Sequence, residues 1–184
     1  MKGKWAAGIV PRNFAWIIKD KLAVSERPGG YARSHRPVRR QEEIIWIREQ
    51  GFTLVVSLLP SPHNLHAYDE LGVAWEHLPF GPHDGAREVL ADLLPRIRSW
   101  LAEGQKVLLH QEELGDRLLG VAAGYLVYAG LLTNPAQAIA IVEQINSRQM
   151  GPIGRELVAI AAEMATGEGI GGGPGGGPPG RGRT

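Results

Sequence analysis

A short polar segment between an apolar strand and a helix carries the residues best suited to chemistry. The strand is predicted at residues 106–109 and the helix at 117–132, and the segment reads His110-Gln111-Glu112-Glu113-Leu114-Gly115-Asp116-Arg117. Ligand loops of α/β domains lie just past the carboxyl end of a strand. A helix N-terminus offers free N–H groups to an anion, and arginine pairs with phosphate or carboxylate. These features are typical of an anion-binding loop.

A pair of histidines gives a second candidate, for a metal ion. His63 and His66, with Asp69 or Glu70, fall on one face of a short helix predicted at about residues 63–71. Imidazole and carboxylate groups at this spacing can ligate a metal. Spacing alone is weak support, and nothing else in the sequence converges on these residues. We therefore predict no metal site and no cofactor.

Strands and helices alternate along most of the chain. Apolar or β-rich segments predict strands at residues 14–18, 22–25, 53–59, 73–78 and 106–109. Apolar periodicity with terminal Gly or Pro predicts helices at about 40–50, 63–71, 86–103, 117–132, from 134 and at 152–165. The order indicates an α/β fold with a mostly parallel central sheet flanked by helices and a helical C-terminal half. Pro95 should kink or divide its helix.

The loop and the elements around it resemble the cysteine-dependent protein phosphatases, especially their compact dual-specificity branch. In that family the loop reads His-Cys-x-x-Gly-x-x-Arg-Ser/Thr-Gly, so Gln111 stands at the cysteine position and Arg117 at the arginine position. Residues 43–58 are similar to the family's helix, glycine and hydrophobic strand, and residues 75–79 with Asp84 are similar to its strand and mobile acid loop. The resemblance extends over roughly residues 14–165 and implies the family's fold.

The chemistry implied by the resemblance lacks its central group. The family needs a thiolate that attacks phosphorus, loop N–H groups and an arginine that hold the phosphoryl oxygens, and an aspartic acid that protonates the leaving oxygen. The chain contains no cysteine. It has Gln111 for the nucleophile, Leu114 for the glycine and Leu118 for the hydroxyl. We therefore expect that phosphatase chemistry is absent.

Three carboxylates in the loop, those of Glu112, Glu113 and Asp116, also oppose a dianion. A carboxylate at about 5–6 Å repels each phosphate charge by about 3 kcal/mol at an effective dielectric near 20. We expect weakened phosphate binding. Our preferred interpretation is that Arg117 pairs with one of these acids and stiffens the loop, and the alternative is that it binds an anion.

Two other side chains have a structural interpretation beside the catalytic one. Asp84 is a remnant of the family's general acid, an N-cap for the helix that begins at Gly85 or Ala86, or both, and we favour the cap. His110 has no thiol to tune. We expect it to be a hydrogen-bonded residue at a strand end.

Composition limits the class of protein. The chain has 184 residues, a formal net charge of +1 and 43% hydrophobic residues, which fits one soluble domain. The lack of cysteine excludes disulfide scaffolds and cysteine-ligated zinc or iron–sulfur sites. Residues 1–50 are basic, but few aromatics accompany the charges, so we interpret them as solvated surface rather than a nucleic-acid site.

The apolar run at 118–132 is shorter than the ~20 residues of a membrane span, and no signal peptide is visible. We predict a cytoplasmic protein that binds neither nucleic acid nor membrane.

The chain divides into a folded part and a tail. Residues 1–166 are predicted to form one dual-specificity-phosphatase-like domain. Residues 167–184 contain 10 Gly and 3 Pro, cannot bury apolar surface and are predicted to be disordered.

The function expected from these observations is that of a pseudophosphatase. Such a domain would bind a protein partner or a phosphorylated ligand without hydrolysing phosphate. One alternative is a phospholigand-binding module that uses Arg117 and the loop amides. Another is a hydrolase of residual or different activity that uses Asp84 and loop carboxylates.

Overall fold

The computed structural model describes residues 7–30, 37–62 and 64–168. Its elements are β1 (Ala15–Ile18), β2 (Leu22–Glu26), α1 (Pro37–Glu49), β3 (Leu54–Ser57), α2 (His66–Glu70), β4 (Trp75–His77), α3 (Ala86–Ala102), β5 (Val107–Gln111), α4 (Asp116–Tyr128), α5 (Pro135–Asn146) and α6 (Pro152–Glu168). The predicted α/β fold and helical C-terminal half are confirmed.

The five strands form one sheet in the order β1-β2-β5-β3-β4. β1 pairs antiparallel with β2, and the other neighbours are parallel, as predicted. β5 lies between β2 and β3, so its carboxyl end is in the middle of the sheet's carboxyl edge. The loop that follows β5 is therefore flanked by the loops that follow its two neighbours.

Alternation of side chains along β5 divides the interior into two cores. Val107 and Leu109 belong to the larger core, which contains residues of α3, α4, α5 and α6. Leu108 belongs to the smaller core, with residues of α1 and α2. Continued alternation puts His110 on the side of the smaller core and Gln111 on the side of the larger one. His110 and Gln111 are consecutive residues, but their side chains therefore lie on opposite faces of the sheet in different environments.

Helix α4 is the central helix of the larger core, and every residue from Leu118 to Tyr128 is buried. A Cβ added at Gly120 would lie 2.7 Å from the Gly154 Cα, so α4 and α6 pack with their backbones in close approach. The glycines at positions 120 and 154 allow this close approach, because a side chain at either position would collide with the facing helix. This close packing of the two helices places the first turn of α4, and the loop before it, against α6.

One alternative that the sequence left open is decided, and one predicted boundary needs correction. α3 continues through Pro95 from Ala86 to Ala102, so the proline does not divide this helix. α6 extends to Glu168, two residues into the predicted tail, and the rest of that tail lies outside the described residues. Among the described helices, none is long and apolar enough to cross a membrane.

Candidate functional site

The β5–α4 loop lies where the sequence predicted, but the strand before it is longer. His110 and Gln111 were expected in the loop, and both belong to β5. The reason is the continued pairing with β2, in which Ser25 faces His110 and Glu26 faces Gln111. The true loop is therefore only residues 112–115, and α4 begins at Asp116.

Gln111, at the position of the family's nucleophile, is bound to the neighbouring loops. Its Nε2 donates to the carbonyl oxygen of Phe80 at 3.0 Å and lies 3.4 Å from that of Leu58. Leu58 follows β3, and Phe80 follows β4. A neutral amide is not a nucleophile at physiological pH. Here it connects the loops at the carboxyl edge of the sheet.

His110 is buried and neutral. Its Nδ1 lies 3.2 Å from the Tyr68 hydroxyl, which confirms the prediction of a hydrogen-bonded histidine at a strand end. Burial, and then the charges of Arg27 and His77, lower the pKa of His110 to about 3. The same burial, with the Glu43 carboxylate nearby, raises the pKa of Tyr68 well above its usual value. Neither group titrates near neutral pH.

Leu114 is a core residue although it lies in the loop. Its side chain is 5% exposed and belongs to the larger core, as does that of Leu118. Its carbonyl oxygen accepts a hydrogen bond from Arg148 Nη1. The N–H of Gly115 donates to the carbonyl oxygen of Glu113 at 2.9 Å, so this amide is used inside the loop. A phosphate cradle needs amides that are directed at the anion, and the Gly115 amide is not available for one.

The three carboxylates that were predicted in the loop have different surroundings. Asp116 accepts from the N–H groups of Gly151 at 2.6 Å and Gly154 at 3.0 Å, at the start of α6. Glu112 Oε1 lies 3.9 Å from Arg27 Nη1, and Glu113 is exposed. The first-turn N–H groups of α6 have no partner within their own helix, which explains why Asp116 is directed at them.

Arg117 does not pair with these acids, so our preferred interpretation of it is wrong for the part of the chain that the structure describes. Its guanidinium carbon lies 5.9 Å from the centre of the Phe80 ring. The acids next to Arg117 in sequence point to α6, to Arg27 and to solvent. Arg117 is half-buried and remains directed at the acid loop, beside Gln111's partner Phe80.

Asp84 does not cap α3. The N-cap is Gly85, without a side-chain hydrogen bond, and Asp84 Oδ2 instead accepts from the N–H of Gly81 at 2.7 Å. The carboxylate thus closes a turn of its own loop. Asp84 is exposed, and no contact joins it to Gln111 or Arg117 among the described residues.

The described residues contain only part of the histidine pair that was considered as a metal site. His63 lies outside the described residues, and Asp69 Oδ1 accepts from Trp75 Nε1 at 2.9 Å. Within the described ranges, no three His, Asp or Glu side chains are grouped as metal ligands.

The sequence analysis missed three residues that shape the site. Arg27 directly follows β2, next to β5 in the sheet, and only knowledge of the strand order would have drawn attention to it. Tyr68 looks like an ordinary apolar-face residue of α2. Arg148 is 34 residues from the carbonyl that it binds, and no local signal indicates that contact.

No family model matches the sequence, and no curated protein matches it either. Solved phosphatase structures do match the backbone. Tk-PTP in its active form is 22% identical with a TM-score of 0.66, covering 82% of this chain and 97% of that chain. Kinase associated phosphatase with serine in place of its catalytic cysteine is 19% identical with a TM-score of 0.68, covering 85% and 97%. Human DUSP28 is 17% identical with a TM-score of 0.64, covering 86% and 99%. The chain has the fold of the dual-specificity and protein tyrosine phosphatases.

Proposed function

We propose that this protein is a pseudophosphatase: a phosphatase-like domain that binds a protein partner or a phosphorylated ligand in the cytoplasm without hydrolysing phosphate. The observation that carries the proposal is the position of Gln111. In the phosphatase fold this position bears the nucleophile, and here it bears an amide bound to the carbonyl oxygen of Phe80.

The other groups of the loop support the loss of catalysis. Leu114 is buried in the larger core, and the N–H of Gly115 already donates to the carbonyl oxygen of Glu113. Asp84, at the general-acid position of the resemblance, is held by the N–H of Gly81. The hydrogen bond between Asp84 and Gly81 also weighs against a hydrolase that uses Asp84 and loop carboxylates. Asp116 is likewise bound, because it accepts hydrogen bonds at the start of α6.

The test is hydrolysis of an aryl phosphate by the purified full chain. We expect the same rate as for Arg117→Ala and for buffer alone, because the chain has no thiolate to attack phosphorus and Asp116 is bound to the start of α6. Turnover that copurifies with the wild type and disappears in Arg117→Ala would overturn the proposal.

One observation favours a second candidate, recognition of a phosphorylated ligand through Arg117. Among the described acids none forms an ion pair with this guanidinium, which contacts the Phe80 ring instead. A half-buried cation without a carboxylate partner has charge to offer an anion. The test is a thermal shift with phosphotyrosine, measured in wild type and in Arg117→Ala. A ligand that binds only the folded state raises Tm, so a rise in wild type alone supports this candidate and equal curves reject it.

A further inference from the structure

A small cavity at the carboxyl edge of the sheet has a lining that suits a negatively charged ligand. A cavity of about 10 Å³ is bounded by the residue after β2, helix α1, the segment around α2, and His110 of β5. Its polar lining consists of Arg27, Arg40, Asn64, Tyr68 and His110. The cavity is on the side of the smaller core, across the sheet from the core that Leu114 fills.

Arg27 Nε and His110 Nε2 are buried in this lining, and neither atom has a hydrogen-bond partner among the described residues. A buried polar group without a partner costs about 1–3 kcal/mol, so two in one wall indicate a missing ligand atom or water.

Both nitrogen atoms are donors. The Tyr68 hydroxyl is buried and has His110 Nδ1 as its partner at 3.2 Å. If Tyr68 donates to Nδ1, only the Nε2–H of His110 is left unpaired. If His110 donates instead, both the Tyr68 hydrogen and Nε2 are left unpaired. The first assignment satisfies more groups and gives His110 a proton on Nε2. Arg27 Nε is always protonated, so the cavity offers donors to an acceptor.

The charge of the cavity is positive. The Arg27 side chain is 14% exposed, and its ion pair, with Glu112, has a length of 3.9 Å and a carboxylate that is 55% exposed. The nearby Glu43 carboxylate is already held by Gly29 N at 2.6 Å and Arg39 Nε at 2.8 Å. Arg40 adds a second guanidinium to the wall. A nearly buried cation whose ion pair in the described part of the chain is this long is poorly compensated, and a bound anion would compensate it.

We propose that this cavity binds a tetrahedral oxyanion, either free phosphate or a phosphate monoester. One oxygen enters the cavity, where it accepts from Arg27 Nε and His110 Nε2, and the rest of the anion lies at the mouth. A cavity of this size holds one water-sized atom, which matches a single oxygen rather than a whole anion. The site is separate from Arg117, and it does not depend on whether the protein hydrolyses phosphate.

The experiment is a titration of the full chain with inorganic phosphate at constant ionic strength, followed by the imidazole NMR resonances of His110. We expect saturable shifts in wild type, in Arg117→Ala and in the charge control Arg96→Gln, whose side chain is 44% exposed on α3. In Arg27→Gln, Kd should weaken by about tenfold or more, because a charged hydrogen bond is lost. A parallel titration with phosphoserine distinguishes the sources: binding of both ligands indicates a mouth that admits an ester, and binding of phosphate alone indicates a site for the free anion.

Three results would overturn the proposal. They are His110 resonances that do not respond to phosphate, an unchanged Kd in Arg27→Gln, and a response that Arg117→Ala abolishes. The first leaves a bound water as the occupant. If Arg27→Gln does not fold by circular dichroism, Arg27→Lys keeps the charge without the Nε donor and should still bind more weakly than wild type. The aryl phosphate assay tests the proposed function separately, so the failure of one does not imply the failure of the other.

Discussion

The side-chain amide of Gln111 donates a hydrogen bond to the carbonyl oxygen of Phe80 at 3.0 Å, across 31 residues of sequence. This contact joins the end of β5 to the acid loop. The Gln111 amide is therefore fixed by the backbone of the segment that follows β4, and the contact between the two segments is structural.

Replacing Gln111 by cysteine should lower stability without creating an enzyme. We expect the free energy of unfolding in urea to fall by about 1 kcal/mol, because the hydrogen bond to Phe80 is lost. Aryl phosphate turnover should stay at background, since Leu114 and the carboxylates of Glu112, Glu113 and Asp116 remain. Gln50→Cys, at an exposed position, is the control and should change neither quantity. Vigorous turnover by Gln111→Cys would show that the loop can still form a cradle.

Asp116 should contribute to stability through α6. Asp116→Asn keeps the shape but removes the charge and one of two acceptors for the N–H groups of Gly151 and Gly154. We expect a loss of about 1–2 kcal/mol, the range for a helix cap with its dipole interaction. Glu113→Gln is the matched control in the same loop, because Glu113 is exposed. Equal stability of the two variants in urea would contradict the capping role.

Leu114 should behave as a core residue although it lies in a loop. Leu114→Ala removes a side chain that is 5% exposed, and we expect a loss of about 2–4 kcal/mol, from lost burial and the remaining cavity. Leu131→Ala, at a position 56% exposed, should stay within about 0.5 kcal/mol of wild type. Thermal and urea unfolding of both variants provide the measurement. Similar, small losses would show that Leu114 is not buried in the core in solution.

His110 should make the protein less stable in acid. Its pKa is about 3 in the folded protein, below the ordinary value of 6.5 that applies when the chain is unfolded. Between these two values the unfolded state binds the extra proton, so stability falls as the pH is lowered from about 6.5 towards 3. The slope from this residue is at most about 1.4 kcal/mol per pH unit.

The measurement is the free energy of unfolding of wild type and His110→Gln between pH 6 and pH 4. Both proteins share the carboxylates that titrate in this range, so the difference between the two slopes isolates His110. We expect the wild type to lose stability more steeply. Parallel curves would mean that His110 is protonated in the folded protein or accessible to water.

Much of the fold was predictable because it rests on local patterns. Apolar periods, prolines and glycines gave the element order, and the run of strands and helices gave a parallel sheet. The end of β5 was missed because it depends on pairing with β2, which is not local. The cap of α3 was assigned to Asp84 rather than Gly85 because either residue satisfies the sequence rule, and the turn at Gly81 decides between them.

The sequence by itself determined which chemical groups the protein has. The lack of cysteine excludes a thiolate nucleophile whatever the conformation. The tertiary structure decided how the charges are paired. Asp116 binds α6, Glu112 lies by Arg27, and Arg117 contacts Phe80. The physical reason is that a long or ionised side chain reaches several partners within one loop. Which partner the side chain binds depends on the buried N–H groups and cations that distant segments of the chain place near it.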